Sequence, residues 1–275
     1  MHDRCKQTAL GVVFVVLTLP VLAQQKPAEA LPIPVKTAAV TRETLNIDVT
    51  TVGTLRADET VMIRPEIAGR VATLHFKEGQ AVSDGDPLVT LDQGEYQAQL
   101  AGSTAQVGLE EISYQRLRDL QRKNLSSTQV LDETKARLDA ARAAQTLTQI
   151  RLEKTVIRAP FSGTVGLRLV SPGAYVKSGD DITNLESLGA MKLDFRVPET
   201  YLALLATGKT LTVRVAAWPN QGFEGTSYAI NPAVDPETRT VLLRARVPNK
   251  GNKLCPGLFA RVNLVLERRE NALIA

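Results

Sequence analysis

The chain has 275 residues, 44% hydrophobic and 23% charged, the proportions of an ordinary globular protein of one to three domains. The net charge is only +4, and no basic block interleaves with the aromatics, which make up 4%; this excludes a nucleic-acid-binding surface and leaves the core to Val, Leu, Ile and Ala. With two His, two Cys and three Met there is no cluster of metal-ligand spacing, phosphate loop or nucleophile motif, so no metal, cofactor or catalytic residue is expected.

At the N-terminus, Arg4 and Lys6 precede the apolar run 9–19, and Val21-Leu22-Ala23 offers small residues before Gln24. Residues 1–23 read as a secretory signal peptide. The alternative is a retained inner-membrane anchor, for which the run is short of the roughly 20 residues that a span needs. Cys5 leaves with the signal, so Cys255 has no partner and is expected as a small buried apolar residue. Residues 24–34 form a Pro/Ala linker, and residues 35–61 alternate apolar and polar in the manner of half-buried strands, as in Leu45-Asn46-Ile47-Asp48-Val49.

A segment then occurs twice at an ungapped offset of 94 residues. The first copy runs from Ile63-Arg64-Pro65 through Gly69-Arg70-Val71, Gly79, Gly85-Asp86 and Leu91. The second runs from Ile157-Arg158-Ala159-Pro160 through Gly163-Thr164-Val165, Gly173, Gly179-Asp180 and Leu185. One small β module is thus built from two distant halves, and Gly69, Gly79, Gly85, Gly163, Gly173 and Gly179 are expected to shape its turns.

Between the copies, residues 94–154 contain no proline and are rich in Ala, Gln, Leu, Arg and Glu. The break at Lys123-Asn124-Leu125-Ser126-Ser127-Thr128 divides them into two helices of nearly thirty residues. Ser126 with Gln129 forms a capping box there, and Ser127 is the alternative cap. Leu131, Leu138 and Leu152, with Thr134, Ala141 and Thr148, lie on one stripe; Leu100, Val107 and Tyr114 lie on another. Such narrow stripes predict an antiparallel coiled-coil hairpin that projects and packs mainly against itself.

From Lys192 to Leu266 short alternating strands return, with the spacing of an antiparallel barrel. Asp194 and Asp235 stand there as isolated carboxylates without an acid/base partner. Two half-modules resemble the lipoyl/biotinyl carrier fold, and Ala190-Met191-Lys192-Leu193 is similar to the biotinylated Ala-Met-Lys-Met. Yet Lys192 follows the second half instead of lying between the halves, where Asp92-Gln93-Gly94 stand, and it is expected as a surface lysine on a linking strand.

Two longer stretches carry a more specific resemblance. Residues 152–165, from Leu152-Glu153-Lys154-Thr155 to Ser162-Gly163-Thr164-Val165, and residues 230–241, from Ile230-Asn231-Pro232 through Asp235-Pro236-Glu237-Thr238-Arg239, resemble periplasmic adaptor proteins (membrane fusion proteins) of resistance-nodulation-division efflux pumps. The resemblance implies a mainly β fold with a long helical hairpin (α+β, multidomain). Its parts would be a lipoyl-like sandwich from residues 61–93 and 155–189, the hairpin at 94–154, and a β-barrel from residues 44–60 and 190–268. Residues 24–43 and 269–275 would begin an incomplete membrane-proximal domain in a truncated chain.

The resemblance also implies a periplasmic protein held at the inner membrane. It would link a proton-driven inner-membrane resistance-nodulation-division transporter to an outer-membrane channel, self-associate in a ring (a hexamer or trimer of dimers), and serve the export of drugs or other amphiphilic molecules. Such adaptors meet the channel through Arg-x3-Leu-x6-Ser at the hairpin tip, a spacing that Arg116, Leu120 and Ser127 reproduce. The alternatives are an adaptor of an ATP-driven exporter or type I secretion system and, remotely, a lipoyl/biotinyl carrier.

Overall fold

The computed structural model describes residues 41–274, so the expected signal peptide and linker lie outside the described residues. The chain enters as β1 (Thr41–Ala57) and continues through β2 (Thr60–Ile63), β3 (Gly69–Leu74), β4 (Ala81–Val82) and β5 (Pro87–Leu91). Two helices follow, α1 (Gly94–Arg122) and α2 (Thr128–Glu153). After them come β6 (Val156–Arg158), β7 (Gly163–Val165), β8 (Tyr175–Val176) and β9 (Thr183–Glu186). The last part holds β10 (Ala190–Pro198), a 3-10 turn at Glu199–Leu204, β11 (Thr210–Val215), β12 (Gly222–Asp235), β13 (Thr240–Pro248) and β14 (Phe259–Ile274). Residues Glu43–Ala272 make one compact unit.

The repeated segment has a direct structural meaning. One four-stranded sheet has the order β2-β9-β7-β4 and the other β6-β5-β3-β8. An advance of one repeat carries β2, β3, β4 and β5 onto β6, β7, β8 and β9, so it maps the first sheet onto the second, strand for strand. Each sheet draws strands from both halves, and the hydrogen bonds repeat with the strands. Gly79 N donates to Val165 O at 2.9 Å and Gly173 N to Val71 O at 2.8 Å; Gly85 N donates to Ala159 O at 2.9 Å and Gly179 N to Pro65 O at 3.0 Å. The core between the sheets is likewise shared, with Val71, Leu88 and Leu91 from one half meeting Val165, Ile182 and Leu185 from the other.

The glycines divide into two kinds. Gly79, Gly85, Gly173 and Gly179 have φ of 76°, 82°, 89° and 89°, the left-handed region that a Cβ disfavours. Gly69 and Gly163, expected at turns, instead open β3 and β7. At Gly163 the need is for space, since a Cβ would stand 2.6 Å from the Glu186 carbonyl oxygen on the neighbouring strand β9.

Six strands close an antiparallel barrel in the order β1-β10-β13-β12-β11-β14. Alternate residues point inward, as period-2 patterning dictates: Met191, Leu193, Phe195 and Val197 on β10, and Val241, Leu243, Ala245 and Val247 on β13, are all buried. β14 runs unbroken to Ile274, past residue 268 where the barrel was expected to end, and β1 begins at Thr41. Cys255, expected to be buried, is exposed because its neighbour Leu254 takes the core position.

Candidate functional site

The helical hairpin owes its form to two heptad seams. In α2 the least exposed residues include Leu131, Thr134, Leu138, Ala141, Gln145, Thr148 and Leu152, spaced by three and four; in α1 they include Tyr96, Leu100, Ser103, Val107, Glu110, Tyr114 and Leu117. Only Thr134 and Leu138 are fully buried, as expected of two helices with no third layer over them. Much of the seam is polar: Ser103 Oγ and Thr148 Oγ1 lie 2.7 Å apart, Gln145 Nε2 donates to Thr104 Oγ1 at 2.9 Å, and Arg142 pairs with Glu111. At the base, Gln93 Nε2 donates to Thr155 Oγ1 at 2.7 Å and Tyr96 Oη to Ala68 O at 3.1 Å, tying both helices to the split sandwich.

The tip is built from standard end chemistry. Asn124, with φ of 60°, takes the left-handed position after α1; its N–H donates to Gln121 O at 2.8 Å and that of Leu125 to Leu120 O at 2.9 Å, a Schellman closure. Ser127, not Ser126, caps α2, its Oγ accepting from Val130 N at 3.4 Å. Arg116 is exposed and Leu120 half-buried one helical turn later, about 6 Å along the axis. Ser127 is exposed across the turn, and Leu125 is 70% exposed at the apex. Arg116, Arg118, Arg122 and Lys123 stand with Asp119, Asp132 and Glu133 around the tip, so charges of both signs surround the exposed apolar Leu125. This arrangement suits docking against a protein surface and offers no reacting group.

The joint between barrel and sandwich holds residues that sequence reasoning missed. Lys192 is not a free surface lysine: its side chain is 22% exposed, and it donates to the Asp58 carbonyl and, at 2.9 Å, to Glu59 Oε1. That hydrogen bond to Glu59, joined by the nearby Asp58 charge, raises the pKa of the Lys192 ammonium against the opposing effect of desolvation. Arg246 grips the Asp58 carboxylate at 3.1 and 3.2 Å. Behind them the two linking segments pair, Asp58 N to Ser187 O at 3.2 Å and Ser187 N to Glu59 O at 2.9 Å. The buried Asn249 side chain bonds Leu188 O, Leu254 O and Leu254 N, each at 2.8 Å. A lysine so held is not displayed for modification, which removes the ground for a carrier.

Asp194 and Asp235 are not isolated either. Arg244 holds Asp194 with two bonds of 2.5 and 2.9 Å, and Arg56 lies 3.3 Å away. Asp235 Oδ1 accepts from Glu237 N and Thr238 N, and Oδ2 from Arg196 at 2.6 Å, which closes the hairpin between β12 and β13. The signal for these pairs was the outward alternation of charges on β10 and β13, but only the register Asp194↔Arg244 makes them partners. His75 bonds Thr90 Oγ1 at 2.8 Å. Among the described residues no group of His, Cys, Asp and Glu could hold a metal, and no helix is long and apolar enough to cross a membrane.

Comparison with known proteins places these parts. Residues 59–186 match the family model of the RND MFP barrel-sandwich hybrid domain, and residues 193–268 that of the CusB-like β-barrel domain. The multidrug resistance protein MdtA of Escherichia coli is 30% identical over 283 residues, 92% of this chain and 68% of MdtA. A Haemophilus influenzae protein is 31% identical over 227 residues, 82% of this chain and 59% of its own length. The chain thus spans 59% to 64% of the length of the first curated relatives that it matches. The crystal structure of a MacA–MexA chimera with the Pseudomonas aeruginosa MexA α-hairpin superposes with a TM-score of 0.77 at 23% identity, covering 86% of this chain and 87% of that one. The split sandwich, the hairpin inserted between its halves and the six-stranded barrel therefore place the chain in the family of periplasmic adaptors, or membrane fusion proteins, of resistance-nodulation-division efflux pumps.

Proposed function

We propose that this chain is the adaptor region of a tripartite pump, a non-enzymatic link between a proton-driven inner-membrane transporter and an outer-membrane channel that together export drugs or other amphiphilic molecules. The observation that carries this reading is the hairpin: packed against itself, anchored at its base, and ending in a tip that presents Arg116, Leu120 and Ser127. Energy would come from the transporter, because nothing in this chain binds a nucleotide by motif. The name of MdtA, a multidrug resistance protein, supports a drug-like cargo. Ring assembly is supported by apolar side chains outside the seam: Leu109 is 58%, Ile112 60%, Leu147 50% and Ile150 42% exposed, and neighbouring hairpins would cover them.

The test is a Leu120→Cys variant of the full-length adaptor in cells, treated with a short bis-maleimide linker after cysteines are introduced at the periplasmic end of the cognate channel. A covalent adaptor–channel product is expected from Leu120→Cys and not from a cysteine at the hairpin base, such as Gln97→Cys. Absence of the product in a pump that still exports drug would overturn the tip assignment.

A further inference from the structure

The chain is folded in half at the tip of its hairpin. Each strand of the first half pairs with a strand of the second, and the pairs are nested: β1 with β10, β2 with β9, β3 with β8, β4 with β7 and β5 with β6. Innermost stand α1 and α2. Residues 41–122 therefore meet residues 128–274 at every layer, and only the five residues 123–127 join them. A break in the chain at that point would remove none of these pairings.

The heptad seam does not lose its phase where the chain turns. Tyr96, Ser103, Glu110 and Leu117 in α1 and Leu131, Leu138, Gln145 and Leu152 in α2 belong to one series with a period of seven, and Asn124 takes the place between them. All eight helical members are buried or half-buried. Two helices that merely turn back on each other need no common phase. A straight helix over residues 94–153, about 90 Å long, would carry this stripe unbroken on one side. Two such helices, side by side and antiparallel, form the native seam twice, with Ser103 again on Thr148 and Glu111 on Arg142.

What opposes that form is confined to the turn. Asn124 has φ of 60°, a left-handed position that a continuous helix excludes. The amides of Asn124 and Leu125 donate to Gln121 O and Leu120 O at 2.8 and 2.9 Å, and Ser127 Oγ caps α2. Asn tolerates the left-handed position where alanine does not.

We propose that two copies of this chain can trade halves at the tip, giving a dumbbell with a complete sandwich and barrel at each end of a shared two-helix rod. The turn at Asn124 and the cap of Ser127 are the device that holds the closed form. Exchange through a short hinge keeps the native contacts except those of the hinge itself. It would also place the tip sequence in the middle of the rod, so the closed turn is a condition for presenting Arg116, Leu120 and Ser127 at an end. The exchange does not depend on which partners the adaptor meets.

The experiment uses the purified full-length adaptor with Cys5→Ser and Cys255→Ser, carrying Ser103→Cys and Thr148→Cys. Oxidation links the seam within one chain in the closed form and between chains in the exchanged form, which a denaturing gel separates. Each protein is refolded from urea at about 1 μM and about 100 μM, because a bimolecular exchange rises with concentration. Asn124→Ala with Ser126→Ala and Ser127→Ala should raise the interchain product about tenfold, the effect of removing a left-handed turn residue and an N-cap. Asn124→Gly keeps the turn and should leave the product intrachain. Deletion of residues 121–127, one heptad, keeps the phase and leaves no turn, so this protein should be linked wholly between chains. The proposal is overturned if the alanine variant, folded by circular dichroism, gives only the intrachain product, if Asn124→Gly exchanges as readily, or if the deletion yields no folded interchain dimer.

Discussion

Lys192 Nζ donates to Glu59 Oε1 at 2.9 Å, which joins the outward side of β10 to the last residue before the sandwich. The two residues lie on opposite sides of the joint, and Arg246 completes the hold through Asp58. The split sandwich and the barrel are therefore connected by two chain segments that are hydrogen-bonded to each other and pinned by two cations.

Replacing Lys192 by Met should lower stability by about 1 kcal/mol, the usual worth of a partly solvated charged hydrogen bond. Glu59→Gln should cost less, since the Glu59 side chain is 65% exposed. The pH dependence has a definite sign. The Lys192 pKa is raised in the folded state, chiefly by the Glu59 hydrogen bond. Its contribution is therefore complete below the ordinary lysine value of about 10.4 and is lost as pH rises through the higher folded value. Urea melts of the wild type and Lys192→Met should differ at about pH 9 and converge as pH rises past the ordinary lysine value. A gap that widens with pH would refute this account.

Gly163→Ala and Gly79→Ala should both destabilise, for different reasons. The first forces a Cβ to within 2.6 Å of the Glu186 carbonyl and should cost about 1–3 kcal/mol by overpacking. The second meets no neighbour within 4 Å but holds an L-residue at φ of 76°, which costs about 1 kcal/mol. D-alanine introduced by semisynthesis separates them, because it should rescue position 79.

Leu138→Ala should act within the hairpin. Leu138 is 2% exposed and is, with Thr134, one of two buried residues of α2, so its truncation should cost about 2–4 kcal/mol. Hydrogen exchange should quicken along α1 and α2 while amides of β10 and β13 keep their protection. Equal loss of protection in the barrel would mean that hairpin and barrel unfold together.

Most of the fold was legible because its patterns are local. The seam residues Leu131, Leu138 and Leu152 announced a narrow coiled-coil stripe, and period-2 alternation marked β10 and β13. What stayed hidden depended on register. Asp194 reads as a lone carboxylate until β10 and β13 align it with Arg244, fifty residues on. Lys192 reads as a surface lysine until the chain from Asp58 returns beside it. Ser126 offered the better capping box in sequence, but the Schellman turn at Asn124 hands the cap to Ser127. Cys255 was misjudged because inside and outside in that loop are decided by the Asn249 clasp on Leu254, which has no period. At the tip, Arg116, Leu120 and Ser127 stand out only through the resemblance to the adaptors' Arg-x3-Leu-x6-Ser pattern.

Asp235 should titrate below an ordinary aspartate. Its carboxylate accepts foremost from the Thr238 backbone N–H, and then from Arg196 and the Glu237 N–H, all of which favour the charged form. With a lowered folded pKa, its contribution is present above the unfolded value of about 3.9 and disappears as pH falls through the folded value. Carboxyl-detected NMR should place its midpoint below that of a model peptide, and Arg196→Ala should move it upward. A midpoint at or above the peptide value would contradict the turn geometry.

The exchange of strands between the two halves also sets an order of events during folding. β2 finds its partner in β9, and β3 finds one in β8, so each sheet closes a loop that contains the whole hairpin. The hairpin itself needs only neighbours along the chain. Once formed, it brings Gln93 to Thr155, a separation of 62 residues, within a hydrogen bond of 2.7 Å. A long loop is thereby shortened to almost nothing before the halves meet, which lowers the entropy of closing it. The projecting helices are thus also the device by which the module that holds them is able to assemble.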